Sequence, residues 1–199
     1  MAGGALDYAP VIGVGPTVLL PVALMMNLFG DELATARWIP VVFLTLTSGL
    51  FALVARRLVG FWAALLALAI LFTMPALDWI ETGRQVLGET PAFGFLLAGG
   101  ALAVRSRSIR GAALGGVLLG LAMVTKGQYL AVLPLVIVAI GVIDHFDQRL
   151  RSWRWYAAVL ATACGTYALW VFALLATMAP ARACGATTWA TSRRAWARA

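Results

Sequence analysis

Long apolar runs, separated by short polar loops, are the feature that most constrains what this chain can fold into. A helix needs about 20 mostly apolar residues to cross a bilayer, or somewhat fewer when its ends reach the interface. Five or six runs qualify as spans: 36–55, 61–77, 90–104, 111–125, 128–143 and 155–179. With 62% hydrophobic and only 12% charged residues, a soluble domain of 199 residues could not bury this surface in one core. The sequence therefore predicts an all-α, polytopic transmembrane helical bundle of about six spans.

Two terminal segments depart from this pattern. Segment 16–30 is apolar but short and contains Pro16 and Pro21, which favours a helix that lies at the interface or re-enters the membrane. Residues 181–199 are rich in Ala, Arg, Thr and Trp and have no apolar periodicity. We therefore divide the chain into a transmembrane domain, 1–180, and a basic tail, 181–199, that is disordered or out of frame.

The charges in the loops predict which side of the membrane each loop faces. Cytoplasmic loops of membrane proteins carry an excess of Lys and Arg. Eight arginines fall in alternate loops: Arg56, Arg57, Arg105, Arg107, Arg110, Arg149, Arg151 and Arg154. These loops are predicted to be cytoplasmic, so that residues 1–35, 78–89 and 126–127 face outward. The same pattern accounts for the net charge of +7, and nucleic acid is not an expected partner.

Neither the histidine nor the cysteines show the spacing of a metal centre. The single histidine, His145, lies beside Asp144 and Asp147, and a solvated loop explains this group better than a site that needs several converging ligands. Cys164 and Cys184 are far apart, and Cys164 lies inside an apolar run, where a small buried side chain is expected. We expect no metal ligands and no cofactor, and metal dependence stays open.

Glycines recur at four-residue spacing in one apolar run. The pairs are Gly111 with Gly115 and Gly116 with Gly120. In lipid, small residues at this spacing let two helix backbones approach closely. These glycines therefore predict helix packing and no chemistry.

Charged residues at the outer helix ends are the candidates for chemistry. Arg84, Glu89 and Lys126 all fall on the predicted outward side. Thr90 and Pro91 favour a helix start, with Thr90 as the cap and the positive end of the helix dipole beside Glu89. In a functional interpretation, Arg84 and Lys126 attract a phosphate while Glu89 orients a sugar or a cation. The alternative is that these groups only end helices, extend to the interface and pair with one another.

Three strings resemble the GT-C membrane glycosyltransferases. They are GRQVLGETPAFGFLLAGGALA, LGGVLLGLAMVTKGQYLAVLPL and, earlier in the chain, PVIGVGPTVLLPVALMMNLFGDELATARWIP. Within that superfamily they are most similar to the group of protein O-mannosyltransferases, aminoarabinose transferase and bacterial Rgt-like enzymes. The resemblance covers residues 8–145.

The resemblance implies an inverting transfer of a sugar from a polyprenyl-phosphate donor to a lipid, glycan or protein acceptor. It places the reaction at the outer face of the bilayer, with the bacterial inner membrane as the expected location. Glu89 matches the family's second-loop acidic position and is the catalytic candidate, while Arg84 and Lys126 are the candidates for binding the donor phosphate. The family's general base follows a first span that this chain lacks, and Asp7 is not assigned that role. We therefore expect an inactive fragment.

Two other functions stay open at this point. A transporter or permease would also be polytopic, but transporters usually place ionisable groups near the bilayer midplane, and here the charges fall at helix ends. A non-catalytic membrane scaffold would need only the packing glycines. Stabilisation by a sugar-linked lipid would distinguish an enzyme from a scaffold, and substrate flux in liposomes would identify a transporter.

Overall fold

The computed structural model describes residues 13–74, 79–80, 88–146 and 151–196, with side chains described as far as residue 176. Within these ranges seven helices are bounded: α1 Pro16–Phe29, α2 Leu33–Val59, α3 Phe61–Thr73, α4 Glu89–Arg105, α5 Ile109–Thr125, α6 Val132–Phe146 and α7 Trp153–Trp196. A 3-10 turn, Gly127–Leu130, leads into α6. The described residues contain no strand, and the predicted all-α membrane bundle is confirmed.

Each predicted apolar run coincides with a helix, although the lengths differ. Three segments are long and apolar enough to cross a bilayer: Leu33–Val59, Gly127–Phe146 and Trp153–Ala176. The helices α1, α3, α4 and α5 have 14, 13, 17 and 17 residues, fewer than the about 20 that a perpendicular span needs. The described part of the chain thus contains three helical segments long enough to cross a bilayer and four shorter helices, and the number of six spans stays a prediction.

Helix α5 packs between α4 and α7, and its glycines make both contacts close. A Cβ added at Gly115 would lie 3.0 Å from the carbonyl oxygen of Gly99 on α4. A Cβ at Gly116 would lie 2.0 Å from Thr162 Oγ1 on α7, and Gly120 meets the same helix. The predicted packing role is confirmed for these three glycines, whereas Gly111 faces the Ser106 side chain in the loop before α5.

Apolar side chains fill the interior and also cover the exterior of the bundle. The main core joins α4, α5, α6 and α7 through Ala103, Ala112, Leu119, Met123, Leu133, Ile140, Trp155, Val159 and Ala163. Large apolar residues such as Leu46, Leu66, Leu135 and Phe172 are exposed. Such an exterior is stable only in lipid, because in water this exposed apolar surface would drive association. Cys164 is among the exposed residues, so the prediction that it is buried in the protein is wrong.

Asp144 and Arg151 form a buried cluster, so the prediction that Asp144 lies in a solvated loop is wrong, while Asp147 lies outside the described residues. Asp144 lies on the last turn of α6 and is 4% exposed, with one carboxylate oxygen 3.3 Å from Arg151 Nη1 and 2.6 Å from the donating Tyr156 hydroxyl. The Arg151 guanidinium donates to the carbonyl of Val104 at the end of α4 and lies 4.2 Å from the Trp155 ring. These contacts fasten α4, α6 and α7 together.

The predictions for His145 and for the tail after residue 180 fared differently. His145 lies in the last turn of α6 with an exposed side chain, so it is solvated on a helix and not in a loop. The α7 backbone is helical to Trp196. The division at residue 180 and the disordered or out-of-frame tail stay predictions.

Candidate functional site at the end of helix α5

Three chain segments converge where α5 ends. Lys126 follows the last residue of α5 in an extended conformation and forms an antiparallel bridge with Val14. The Gly15 N–H donates to the carbonyl of Thr125 at 2.9 Å. Helix α4 begins at Glu89, and the preceding Gly88 lies against Thr125 and Lys126. The beginning of the described chain and the start of α4 therefore both contact residues 125–126.

Two glycines make this convergence possible. A Cβ on Gly15 would lie 1.8 Å from the carbonyl oxygen of Val124, and a Cβ on Gly88 would lie 2.8 Å from the carbonyl oxygen of Thr125. Both distances are shorter than real Cβ contacts, and the opposing atoms belong to backbone that cannot rotate away. Any larger residue would therefore separate the segments that carry the site.

Lys126 and Glu89 form an ion pair at the centre of this convergence. Nζ of Lys126 lies 2.5 Å from Oε1 of Glu89, with the Lys126 side chain 8% exposed and the Glu89 side chain 39% exposed. The ammonium is therefore largely withdrawn from solvent, which strengthens its interaction with any anion that reaches it. Because Glu89 is the first residue of α4, the positive end of that helix lies beside the pair.

Hydroxyl groups hold the segments around the ion pair. Thr125 Oγ1 donates to the carbonyl of Leu121 at 2.6 Å, so Thr17 Oγ1, also 2.6 Å away, donates to Thr125. The hydroxyl of Tyr129 donates to the carbonyl of Glu89 at 3.4 Å. These bonds tie α1 to the end of α5 and the 3-10 turn to the start of α4.

The site contains hydrogen-bonding atoms that have no partner among the described residues. Glu89 Oε2 and Thr90 Oγ1 are both buried and have no hydrogen-bond partner among the described residues. An ammonium has three donors, and Glu89 Oε1 takes one of them from Lys126. The prediction that Thr90 caps the helix is wrong, because the N-cap is Gly88 and no side chain caps this helix.

An apolar groove borders the site between α1, α5 and α7. It has a volume of about 420 Å³. It is lined by Pro16, Thr17, Leu20, Pro21, Leu121, Val124, Thr166 and Trp170. The groove thus places apolar surface directly beside Thr17, which belongs to the hydrogen-bonded shell of the ion pair.

The structure brings together two of the predicted site residues. Glu89 and Lys126, which are far apart in sequence, are in direct contact. Arg84 and Asp7 lie outside the described residues. Within the described ranges, no group of three His, Cys, Asp or Glu side chains is placed to hold a metal ion.

Sequence reasoning did not identify the groups that support this pair. Gly15, Thr17, Gly88, Thr125 and Tyr129 build the site, yet each is an unremarkable residue type in a loop or helix end. The one sequence signal for these residues is that a glycine stands immediately before each of two helices, Gly15 before α1 and Gly88 before α4. That signal could suggest close backbone approach, but it does not say to which segment.

Comparison with known proteins gives one match. The family model for dolichyl-phosphate-mannose-protein mannosyltransferases matches residues 14–175, a range that includes every residue of the site described above. Neither the curated protein sequences nor the solved structures give a match.

Proposed function

The chain belongs to the dolichyl-phosphate-mannose-protein mannosyltransferase family of GT-C membrane glycosyltransferases, and we propose that its Glu89–Lys126 site binds a polyprenyl-phosphate sugar donor. The reaction would transfer the sugar to a lipid, glycan or protein acceptor on the extracytoplasmic face of the membrane. The observation that carries the proposal is a buried ammonium, Lys126, held against Glu89 with donors to spare. Family membership favours this function over the transporter and scaffold alternatives.

The phosphate of the donor would bind at Lys126. When the sugar departs, negative charge grows on the polyprenyl phosphate, and groups already oriented towards that charge lower the barrier. Two ammonium protons beyond the one directed at Glu89 can bond phosphate oxygens. The start of α4 adds the positive end of a helix dipole. Arg84 is proposed as a second phosphate-binding cation.

Glu89 would orient the reacting groups through its second oxygen. Oε1 holds Lys126, while Oε2 accepts no hydrogen bond from a described residue. A sugar or acceptor hydroxyl is a neutral donor that suits such a carboxylate oxygen. The ion pair therefore supports a divided role, in which Lys126 binds the phosphate and Glu89 positions a hydroxyl.

The groove beside Thr17 would hold the first isoprene units of the donor. It is apolar, lies between three helices and borders the hydrogen-bonded shell of the ion pair. A polyprenyl phosphate has an apolar tail joined directly to an anion. An ammonium beside an apolar groove matches that combination.

Donor binding is the first test, because it can be measured without turnover. The full chain in detergent would be titrated with a polyprenyl phosphate, and Lys126→Ala is expected to weaken binding by at least about tenfold, as for the loss of one charge-assisted bond. Arg37→Ala is the matched control, since Arg37 is an exposed cation on the same predicted side. Unchanged affinity in Lys126→Ala would remove Lys126 from the site.

Backbone convergence gives a second test of the same site. Gly15→Ala places a methyl group against the carbonyl of Val124 and should displace residues 125–126, so we expect weaker donor binding. Gly49→Ala is its control, because a Cβ there would meet nothing within 4 Å. Equal affinities in the two variants would show that the convergence does not shape the site.

Turnover tests the role of Glu89. In an active member of the family that carries these segments, the substitution equivalent to Glu89→Gln is expected to abolish sugar transfer while the protein keeps its fold. Full activity would return Glu89 to a role in ending the helix and pairing with Lys126. The inactivity of the present chain stays a prediction.

A further inference from the structure

A second groove lies at the opposite ends of the helices from the Glu89–Lys126 site. It runs between α2 and α4 with α6 along one side and has a volume of about 770 Å³. Its wall is almost entirely apolar and includes Leu53, Val54, Leu97, Val136 and Ile143. This surface is too apolar for a water-soluble ligand and suits a hydrocarbon chain.

Three arginines line one end of this groove. Arg57 lies in the last turn of α2, Arg105 is the last residue of α4, and Arg107 is in the loop before α5. All three side chains are exposed, and none forms an ion pair with a described residue. Three cations converge here on an apolar groove, so its ligand must combine a hydrocarbon chain with negative charge.

Arginine is the side chain best suited to this contact, because its planar guanidinium binds phosphate oxygens in a two-pronged way. The neighbouring Arg56 also lies at the end of α2 but does not belong to the groove. Its guanidinium lies 5.8 Å from the centre of the Phe61 ring, and it does not line the groove. Position, and not residue type alone, therefore distinguishes the groove arginines.

We propose that this groove binds an anionic phospholipid of the surrounding leaflet, with an acyl chain between α2 and α4 and the phosphate at Arg57, Arg105 and Arg107. Basic pockets between membrane helices on the cytoplasmic side bind anionic head groups by the same combination of charge and apolar surface. The loop charges predict that this end of the bundle is cytoplasmic. The site is separate from the proposed donor site and does not depend on it.

Gly100 offers a way to fill the groove without disturbing the bundle. It lines the groove on α4, and a Cβ there would meet nothing within 4 Å. Gly100→Leu would therefore occupy the space of the acyl chain. Gly141→Leu is the matched control, because a Cβ at Gly141 also meets nothing within 4 Å and this residue does not line the groove.

Lipid binding to the purified full chain, measured by native mass spectrometry, tests the proposal. Phosphatidylglycerol is expected to bind at least about tenfold more tightly than phosphatidylcholine, since basic residues near a membrane surface attract anionic lipid head groups. The triple variant Arg57→Gln, Arg105→Gln, Arg107→Gln should lose this preference, and Gly100→Leu should weaken binding of both lipids. The triple variant Arg56→Gln, Arg110→Gln, Arg154→Gln removes the same charge outside the groove and should keep the preference, as Gly141→Leu should keep affinity.

Several results would overturn the proposal. Equal binding of the two lipids would show that the arginines do not select an anionic head group. Equal loss of the preference in both triple variants would reduce the effect to general surface charge. Displacement of phosphatidylglycerol by a polyprenyl phosphate would assign the groove to the donor instead. A photoreactive residue at the exposed groove position Leu53 should crosslink to phospholipid, and a crosslink to protein would show that another segment or a second copy covers the groove.

Discussion

Two ion pairs at opposite helix ends consist of similar residues but differ in how far they are exposed. Asp144 and Arg151 are both almost fully buried, and their cluster also includes Tyr156, Trp155 and the carbonyl of Val104. Glu89 and Lys126 are also in contact, but the Glu89 side chain is 39% exposed. Both pairs keep side-chain atoms without a hydrogen-bond partner among the described residues, so the difference between them is their exposure. The first pair is enclosed by its own helices, and the second is accessible on its Glu89 side.

The construction of the two regions differs as well. Side chains assemble the Asp144 cluster, which fastens the end of α4 to α6 and α7. Close backbone approach assembles the Glu89 site, where Gly15 and Gly88 meet the carbonyls of residues 124–125. We infer that the enclosed cluster stabilises the bundle and that the open pair serves ligand binding. The following predictions test that inference by comparing losses of stability in detergent.

Loss of Asp144 should have the largest effect on stability. Asp144→Ala leaves Arg151 buried without its carboxylate, which costs about 3–5 kcal/mol of the free energy of unfolding. Replacing both residues with leucine should cost at least about 1 kcal/mol less than the sum of the single changes, because no charge is then left unpaired. Thermal unfolding of the purified protein measures this, with the exposed Asp31→Ala as control. Equal melting temperatures for Asp144→Ala and Asp31→Ala would contradict a stabilising role for the cluster.

Removal of the Tyr156 hydroxyl should be the next largest effect. Tyr156→Phe deletes a 2.6 Å hydrogen bond to a buried carboxylate, and bonds to charged groups contribute about 1.5–3 kcal/mol. The same thermal unfolding measurement applies. If the variant unfolds at the wild-type temperature, Arg151 alone satisfies Asp144.

Lys126→Ala should destabilise the protein less than either of those changes. The partly exposed Glu89 carboxylate can rehydrate after its partner is lost, so we expect a cost of about 1 kcal/mol. Its effect on donor binding should be the larger one. A loss of stability as great as that of Asp144→Ala, with unchanged donor affinity, would make the two ion pairs equivalent and end the distinction between them.

Tyr129→Phe should have the smallest effect. Its hydroxyl donates to the Glu89 carbonyl over 3.4 Å, a long and therefore weak hydrogen bond. We expect a change below about 0.5 kcal/mol in the free energy of unfolding. A cost comparable to that of Tyr156→Phe would mean that the open site is held as firmly as the enclosed cluster.

Burial of Asp144 illustrates where sequence reasoning went wrong. Asp144 lies near His145 and Arg149 in the chain, and a local concentration of charge is typical of a solvated loop. Its spacing from Leu133 and Ile140, two buried residues on the same helix, places it on the core-facing side. The interpretation relied on composition and overlooked the helical position of Asp144. Its partners come from elsewhere in the chain, with Arg151 just before α7 and Tyr156 on α7.

The sequence alone determined the membrane class, the approximate position of each helix and the roles of Gly115, Gly116 and Gly120, because apolar periodicity and residue size are local properties of the chain. It also selected Glu89 and Lys126 through a family resemblance. Only the tertiary structure decided that these two residues touch, that Thr17 and Gly15 from another segment support them, and that Asp144 is enclosed. The physical reason is that each of these contacts joins residues from separate elements, and the packing of the helices sets which of them meet.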